Sequence, residues 1–218
     1  GSIGVDENIK KNFLIKKNYR ADIVDTNGNF LVKTVNTIDI GINPRLIIDE
    51  KKLLINLKII FPEKNFNDIK KKIDRDKFFY FAKKVSQEKY QRLRLLGDKS
   101  IISEEKLTRI YVHENLFSHV LGQIDNDNKG ISGIEKFYDF ELKSREAPLQ
   151  LTLDTDIQYL IREELLKFQK IFKSLGSAAI LMNVNSGDII SMVSIPDFNL
   201  NKRENINDTK FINRATKG

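Results

Sequence analysis

Two serines in the sequence stand three residues before a lysine: Ser86 before Lys89, and Ser103 before Lys106. A lysine amine at that spacing can turn a serine hydroxyl into a nucleophile for acyl transfer. With 12 serines and 27 lysines among 218 residues, about 1.5 such pairs arise by chance. No Ser-x-Asn or Lys-[Ser/Thr]-Gly element accompanies either pair. Ser86 sits where a helix cap belongs, and Ser103 precedes an exposed acidic stretch. Neither pair is assigned a catalytic role, and no catalytic residue is expected in this chain.

Metal chemistry fares no better. His113 and His119 are the only imidazoles and there is no cysteine, so a structural site lacks its further ligands. The segment DNDNKGISGIEK places Asp125, Asp127 and Gly130 as a calcium loop would. Lys129 and Lys136, however, occupy positions that need ligand oxygens. No Gly-rich phosphate loop is present. No metal and no cofactor are expected.

These residues are carried by elements that can be read from the pattern. A strand near Ala21–Asp25, a turn at Thr26–Gly28 and a returning strand from Phe30 follow from alternating apolar residues around Asn27–Gly28. Leu53, Leu54, Leu57, Ile60 and Phe61 recur at helical spacing, with Asp49 as cap and Pro62 as stop. A short helix fits FNDIKKKI, a strand FFYFAKKV. A helix runs from Ser86 towards Leu96 with Gly97 ending it. EEKLTRIYV predicts a strand, and Asn115 to Leu121 a short helix before Gly122. Past Pro148, Thr155 and Gln158 have capping-box spacing. They open a helix over about 156–173 whose apolar stripe is Ile157, Leu160, Ile161, Leu165, Phe168 and Phe172. A hairpin follows over Ala178–Ile195. Its first strand is apolar at almost every position, as when both faces are covered. One helix and one hairpin cannot supply that cover, so a larger sheet is expected than this stretch contains.

Composition bounds the partners. The chain is 40% hydrophobic and 31% charged, enough to bury a core. Its net charge of +7 is scattered along helical faces, and no basic stretch interleaves with aromatics, so nucleic acid is not expected. The longest apolar runs fall well below the ~20 residues needed to span a bilayer. Gly1–Ser2 reads as a cloning scar.

Taken in order, YRADIVDTNGNFL, RIYVHENLFSHVLGQI, GISGIEKFYD, LTLDTDIQ, AAILMNVNSGDIISMVSIPDFNLN and NRATKG resemble class B penicillin-binding proteins, most of all the division-type peptidoglycan D,D-transpeptidases. The resemblance spans Tyr19 to Gly218. Thr26, Val112 and Asn183 depart from it, where the family has Arg, Pro and Asp. The resemblance implies an α+β chain in three parts. Residues 1–18 are a lead-in; 19–146 are an irregular mixed pedestal, often called the dimerisation domain. Residues 147–218 are the first helix and β-hairpin of an incomplete transpeptidase domain.

In this family the segment like NRATKG leads into the nucleophile motif, so the piece is expected to stop before the catalytic serine and to be silent. The resemblance further implies a parent on the periplasmic face of the bacterial inner membrane, held by an upstream anchor. That parent would cross-link stem peptides during septum synthesis, bind penicillin, and act with a glycosyltransferase and division proteins. The alternative is a free-standing interaction adaptor with no enzymatic parent. Within the pedestal motifs, Arg20, Asp25, Arg109 and Glu135 stand beside Gly28, Gly122 and Gly133, which permit tight turns and close backbone approach. The four charges are expected to converge into one hydrogen-bonded network, since a guanidinium binds carboxylate at two points. The hairpin edge is expected to recruit a second copy.

Overall fold

The computed structural model describes residues 19–202 and 209–217. The chain begins with β1 (Ile23–Val24) and, after a turn at Thr26–Gly28, β2 (Phe30–Ile42). Gly28 has φ +84°, the left-handed conformation that this hairpin turn requires. A 3-10 turn at Pro44–Leu46 leads to α1 (Glu50–Ile60). There the Asp49 carboxylate accepts the Lys52 N–H as cap, and Leu53, Leu57 and Ile60 face inward. Then come α2 (Phe66–Ile73), capped by Asn65, β3 (Phe79–Val85), and α3 (Gln87–Arg94), capped by Ser86. The strand β4 (Ile101–Tyr111) starts earlier than its sequence pattern predicts.

The next stretch is built from short pieces: α4 (Ser118–Leu121), α5 (Gly133–Phe137), α6 (Asp139–Ser144) and β5 (Leu149–Gln150). It ends in α7 (Thr155–Phe172) and the hairpin of β6 (Ser177–Met182) with β7 (Ile189–Ile195). A one-turn helix, α8, covers Arg214–Lys217. The mixture of helices and small open sheets is an α+β fold.

The described residues divide into two compact units, the second of residues 35–108 and the first of the remainder. In the first unit β1 pairs antiparallel with β2 and parallel with β5. Ala21, Ile23, Leu31, Tyr111, Phe117, Leu142, Leu149 and Leu153 share its core. Just past residue 147, where a boundary is expected, β5 is hydrogen-bonded to β1. In the second unit β2 pairs with β3, and Ile38, Ile40, Ile42, Leu53, Leu57, Phe61 and Phe81 make a separate core.

The cap expected for α7 is corrected. Its N-cap is Asp154, whose carboxylate accepts the Ile157 N–H, whereas Thr155 turns its hydroxyl to Asp25. Much of its apolar stripe is uncovered: Leu160, Phe168 and Phe172 are exposed, and the one fully buried residue is Gln158. That amide bonds the Leu116 and Met192 carbonyls, the Met192 N–H and the Ser191 hydroxyl.

Candidate functional site

The strongest polar constellation among the described residues is a buried junction in the first unit. Glu135, on α5, has no exposed surface, and Arg20 has 1%. The Arg20 Nε donates to Glu135 Oε2 at 2.5 Å, and a second Arg20 nitrogen donates to the Glu135 backbone carbonyl. The other carboxylate oxygen, Oε1, accepts from Arg109 Nε at 2.8 Å. One glutamate thus takes two guanidinium groups, a different arginine on each oxygen.

Further donors extend the junction to the backbone. Arg109 Nη1 donates to the carbonyls of Arg20 and Ala21 and to Thr34 Oγ1 at 3.0, 2.7 and 2.9 Å. Arg20 Nη1 reaches Asp139 Oδ1 at 2.7 Å, on the first turn of α6. Two arginines and two carboxylates balance, which is what makes burial of such a group tolerable. The Tyr111 hydroxyl donates to Glu135 Oε1 at 3.3 Å. Burial and that carboxylate push its ionisation well above the usual phenol range.

Asp25 is not part of this junction. Its carboxylate accepts the N–H groups of Asn27 and Asn29, the Asn29 amide and the Thr155 hydroxyl. It therefore closes the β1–β2 turn and ties that turn to the start of α7. Burial pushes its pKa up, but the bonds from Thr155, Asn29 and Asn27 outweigh this and hold it at about 2. The local sequence Asp25-Thr26-Asn27-Gly28-Asn29 carries a signal for this role, because Asp bonds its own backbone two residues on in such turns. Asp139 and Tyr111 join the junction with no comparable signal in the sequence.

Gly122 and Gly133 let the loop before α5 close on the end of α4. Both have positive φ, at +73° and +56°. A Cβ on Gly122 would strike the Ser132 carbonyl, and one on Gly133 would strike the Val120 carbonyl. The two backbones touch here, so α5 is set at the depth where Glu135 meets both arginines.

The model of the penicillin-binding protein dimerisation domain matches residues 15–165, a stretch that holds every member of this junction. The chain belongs to that family. A probable peptidoglycan D,D-transpeptidase FtsI of Caulobacter vibrioides is 26% identical over 200 residues, covering 90% of this chain and 34% of that protein. Stage V sporulation protein D of Bacillus subtilis is 26% identical over 209 residues, covering 82% and 32%. The fold is shared with penicillin-binding protein PBP2 of Helicobacter pylori, with a TM-score of 0.54 at 20% identity, covering 84% of this chain and 43% of that one. The chain spans about a third of the length of the curated relatives it matches.

Within this dimerisation-domain chain neither Ser-x-x-Lys pair forms a nucleophile. The Ser86 hydroxyl caps α3 by accepting the Lys89 N–H, and Lys89 Nζ turns to Glu63. Ser103 meets the Tyr90 hydroxyl, while Lys106 Nζ lies on Asp39 and Glu104. Asp125 spends its carboxylate on the N–H groups of Asp127 and Lys129, within its own loop. His119 donates from Nε2 to the Lys210 carbonyl and packs edge-on to Phe198. Among the described residues no helix is long and apolar enough to cross a membrane.

Proposed function

We propose that this chain is the non-catalytic pedestal of a longer peptidoglycan D,D-transpeptidase. Residues 19–146 form the support, and residues from 147 onward open the catalytic domain. The observation that carries this reading is the family match over residues 15–165, together with relatives that are transpeptidases about three times as long. On this reading the acyl-transfer machinery lies outside the 218 residues, which are inactive by themselves. The parent binds penicillin, cross-links stem peptides in the septum from the periplasmic face of the inner membrane, and is anchored upstream. Its pedestal docks a glycosyltransferase and division proteins.

The hairpin supports a further part of this reading. β6 pairs only with β7 among the described strands, and Ile180, Leu181 and Met182 are exposed. In the parent this edge is covered by later strands; alone it pairs with a second copy.

A fluorescent β-lactam tests the proposal. The full-length parent should be labelled at a serine outside these 218 residues, and the present chain should stay unlabelled under the same conditions. Labelling of the present chain, or an unlabelled folded parent, would overturn the reading.

A further inference from the structure

We propose that the second unit carries a cleft that docks an acidic segment of a partner polypeptide, built on the lysines of a bulge in β3. The proposal rests on the reading of the chain as a docking support and names the chemistry of what docks. Residues 35–108 hold 17 Lys and Arg against 11 Asp and Glu, so this unit has +6 of the chain's net +7. Charge so distributed steers acidic partners towards it.

A cleft of about 320 Å³ lies in this unit, with Phe61 in its wall and Lys64, Lys83, Lys84 and Lys89 around it. The lysines on β3 are held there by a backbone irregularity. Val85 pairs with Ile38 and Ala82 with Ile40, so two residues of β3 oppose one of β2. Lys84 has φ +55°, a conformation that costs a non-glycine residue energy and persists where its surroundings enforce it. What enforces it is Asp39, buried to 5% exposure, whose carboxylate accepts the Lys84 N–H at 2.9 Å. A regular strand would send neighbouring side chains to opposite faces; the bulge leaves Lys83 and Lys84 both exposed. Re-aiming side chains is a known use of bulges.

Three of the four ammonium groups lie over aromatic rings, Lys64 over Phe81 at 5.3 Å, Lys83 over Tyr80 at 5.1 Å and Lys89 over Phe61 at 4.8 Å. Among the described residues no carboxylate lies within 4 Å of Lys64, Lys83 or Lys84, while Lys89 takes the exposed Glu63 at 3.2 Å. Glu63 is itself part of the lining. No arginine lines it, so the planar two-point grip that favours phosphate is missing. Phe61, Ala82 and Val85, nearly buried in the core, form its floor.

The test is fluorescence anisotropy of the 218-residue protein with a labelled eight-residue peptide of alternating glutamate and leucine. Lys64→Glu with Lys83→Glu should weaken binding at least about tenfold, equivalent to about 1.4 kcal/mol. Lys70→Glu with Lys71→Glu, an equal charge change on α2, should leave it within about threefold. The milder pair Lys64→Ala with Lys83→Ala serves if charge reversal unfolds the unit. Equal losses in the cleft and α2 pairs, or equal binding of the glutamine version of the peptide, would overturn the proposal. So would tighter binding of polyphosphate at matched charge, or of phosphatidylglycerol vesicles. Penicillin labelling of the parent reads the functional proposal separately from these results.

Discussion

Glu135 sits without exposed surface between Arg20 and Arg109, so its loss would leave Arg109 with no carboxylate and Arg20 with Asp139 alone. Glu135→Ala should cost about 3–5 kcal/mol, the range for removing one partner of a buried pair. Urea denaturation followed by circular dichroism measures it. A loss below about 1 kcal/mol, typical of an exposed pair, would mean that the arginines find water instead. Two further carboxylates of the unit give a pH prediction. Asp25 and Asp139 are both held at about 2: burial raises each, and donors from Thr155 and Asn29, or from Gly130 and Arg20, outweigh it. Their folded pKa values lie below the ordinary 3.8. Their contribution is therefore present above pH 4 and lost as pH falls towards 2. Asp25→Asn should flatten the fall in Tm over that window; a fall as steep as in the unmodified chain would contradict it. Three junction residues were legible by type, as charges beside glycines in distant segments. Asp25 was misplaced because its partners are its own turn, and Asp139 looks like any charge on a helix.

At the scale of elements, the segments with a cap, a turn or an apolar period were legible, β1, α2 and α4 included, and α5, α6 and β5 were not. α1 was read from apolar spacing and its cap at Asp49, α3 from its cap at Ser86, and β3 from its β-prone aromatic run, whereas the Asn65 cap of α2 emerges only in the structure. The stretch from 112 to 145 is held by tertiary bonds to Arg20 and Arg109, which no local pattern encodes. α7 shows the opposite failure: its stripe was read correctly as apolar, yet the described residues leave much of it uncovered. Its cap gives a prediction. Asp154→Ala should destabilise the first unit by about 1 kcal/mol, measured by thermal denaturation; no change would return the capping role to Thr155. The close approach at Gly122 gives another. Gly122→Ala adds both a strained φ and a backbone clash, whereas Gly28→Ala meets open space and bears only the strain of about 1–2 kcal/mol. Gly122→Ala should therefore lower Tm further than Gly28→Ala, and equal shifts would argue against the contact.

At the scale of the whole molecule, exposed apolar surface gathers on α7 and β6, where Leu160, Phe168, Ile171, Phe172, Ile180 and Met182 face outward. A patch of this kind marks a surface meant to be covered. Sedimentation should show concentration-dependent self-association of the 218-residue protein, reduced by Ile180→Lys with Met182→Lys; a monomer at all concentrations would contradict it. The first unit depends most on the junction at Glu135, which draws together the segment before β1, the end of β4, α5 and α6. Native-state hydrogen exchange in the unmodified chain and in Glu135→Gln tests this most directly. Protection should fall by a similar factor at Ala21, Leu142 and Leu149, whose amides bond Leu142, Tyr138 and Asp22. Loss of protection confined to residues 133–137 would contradict it.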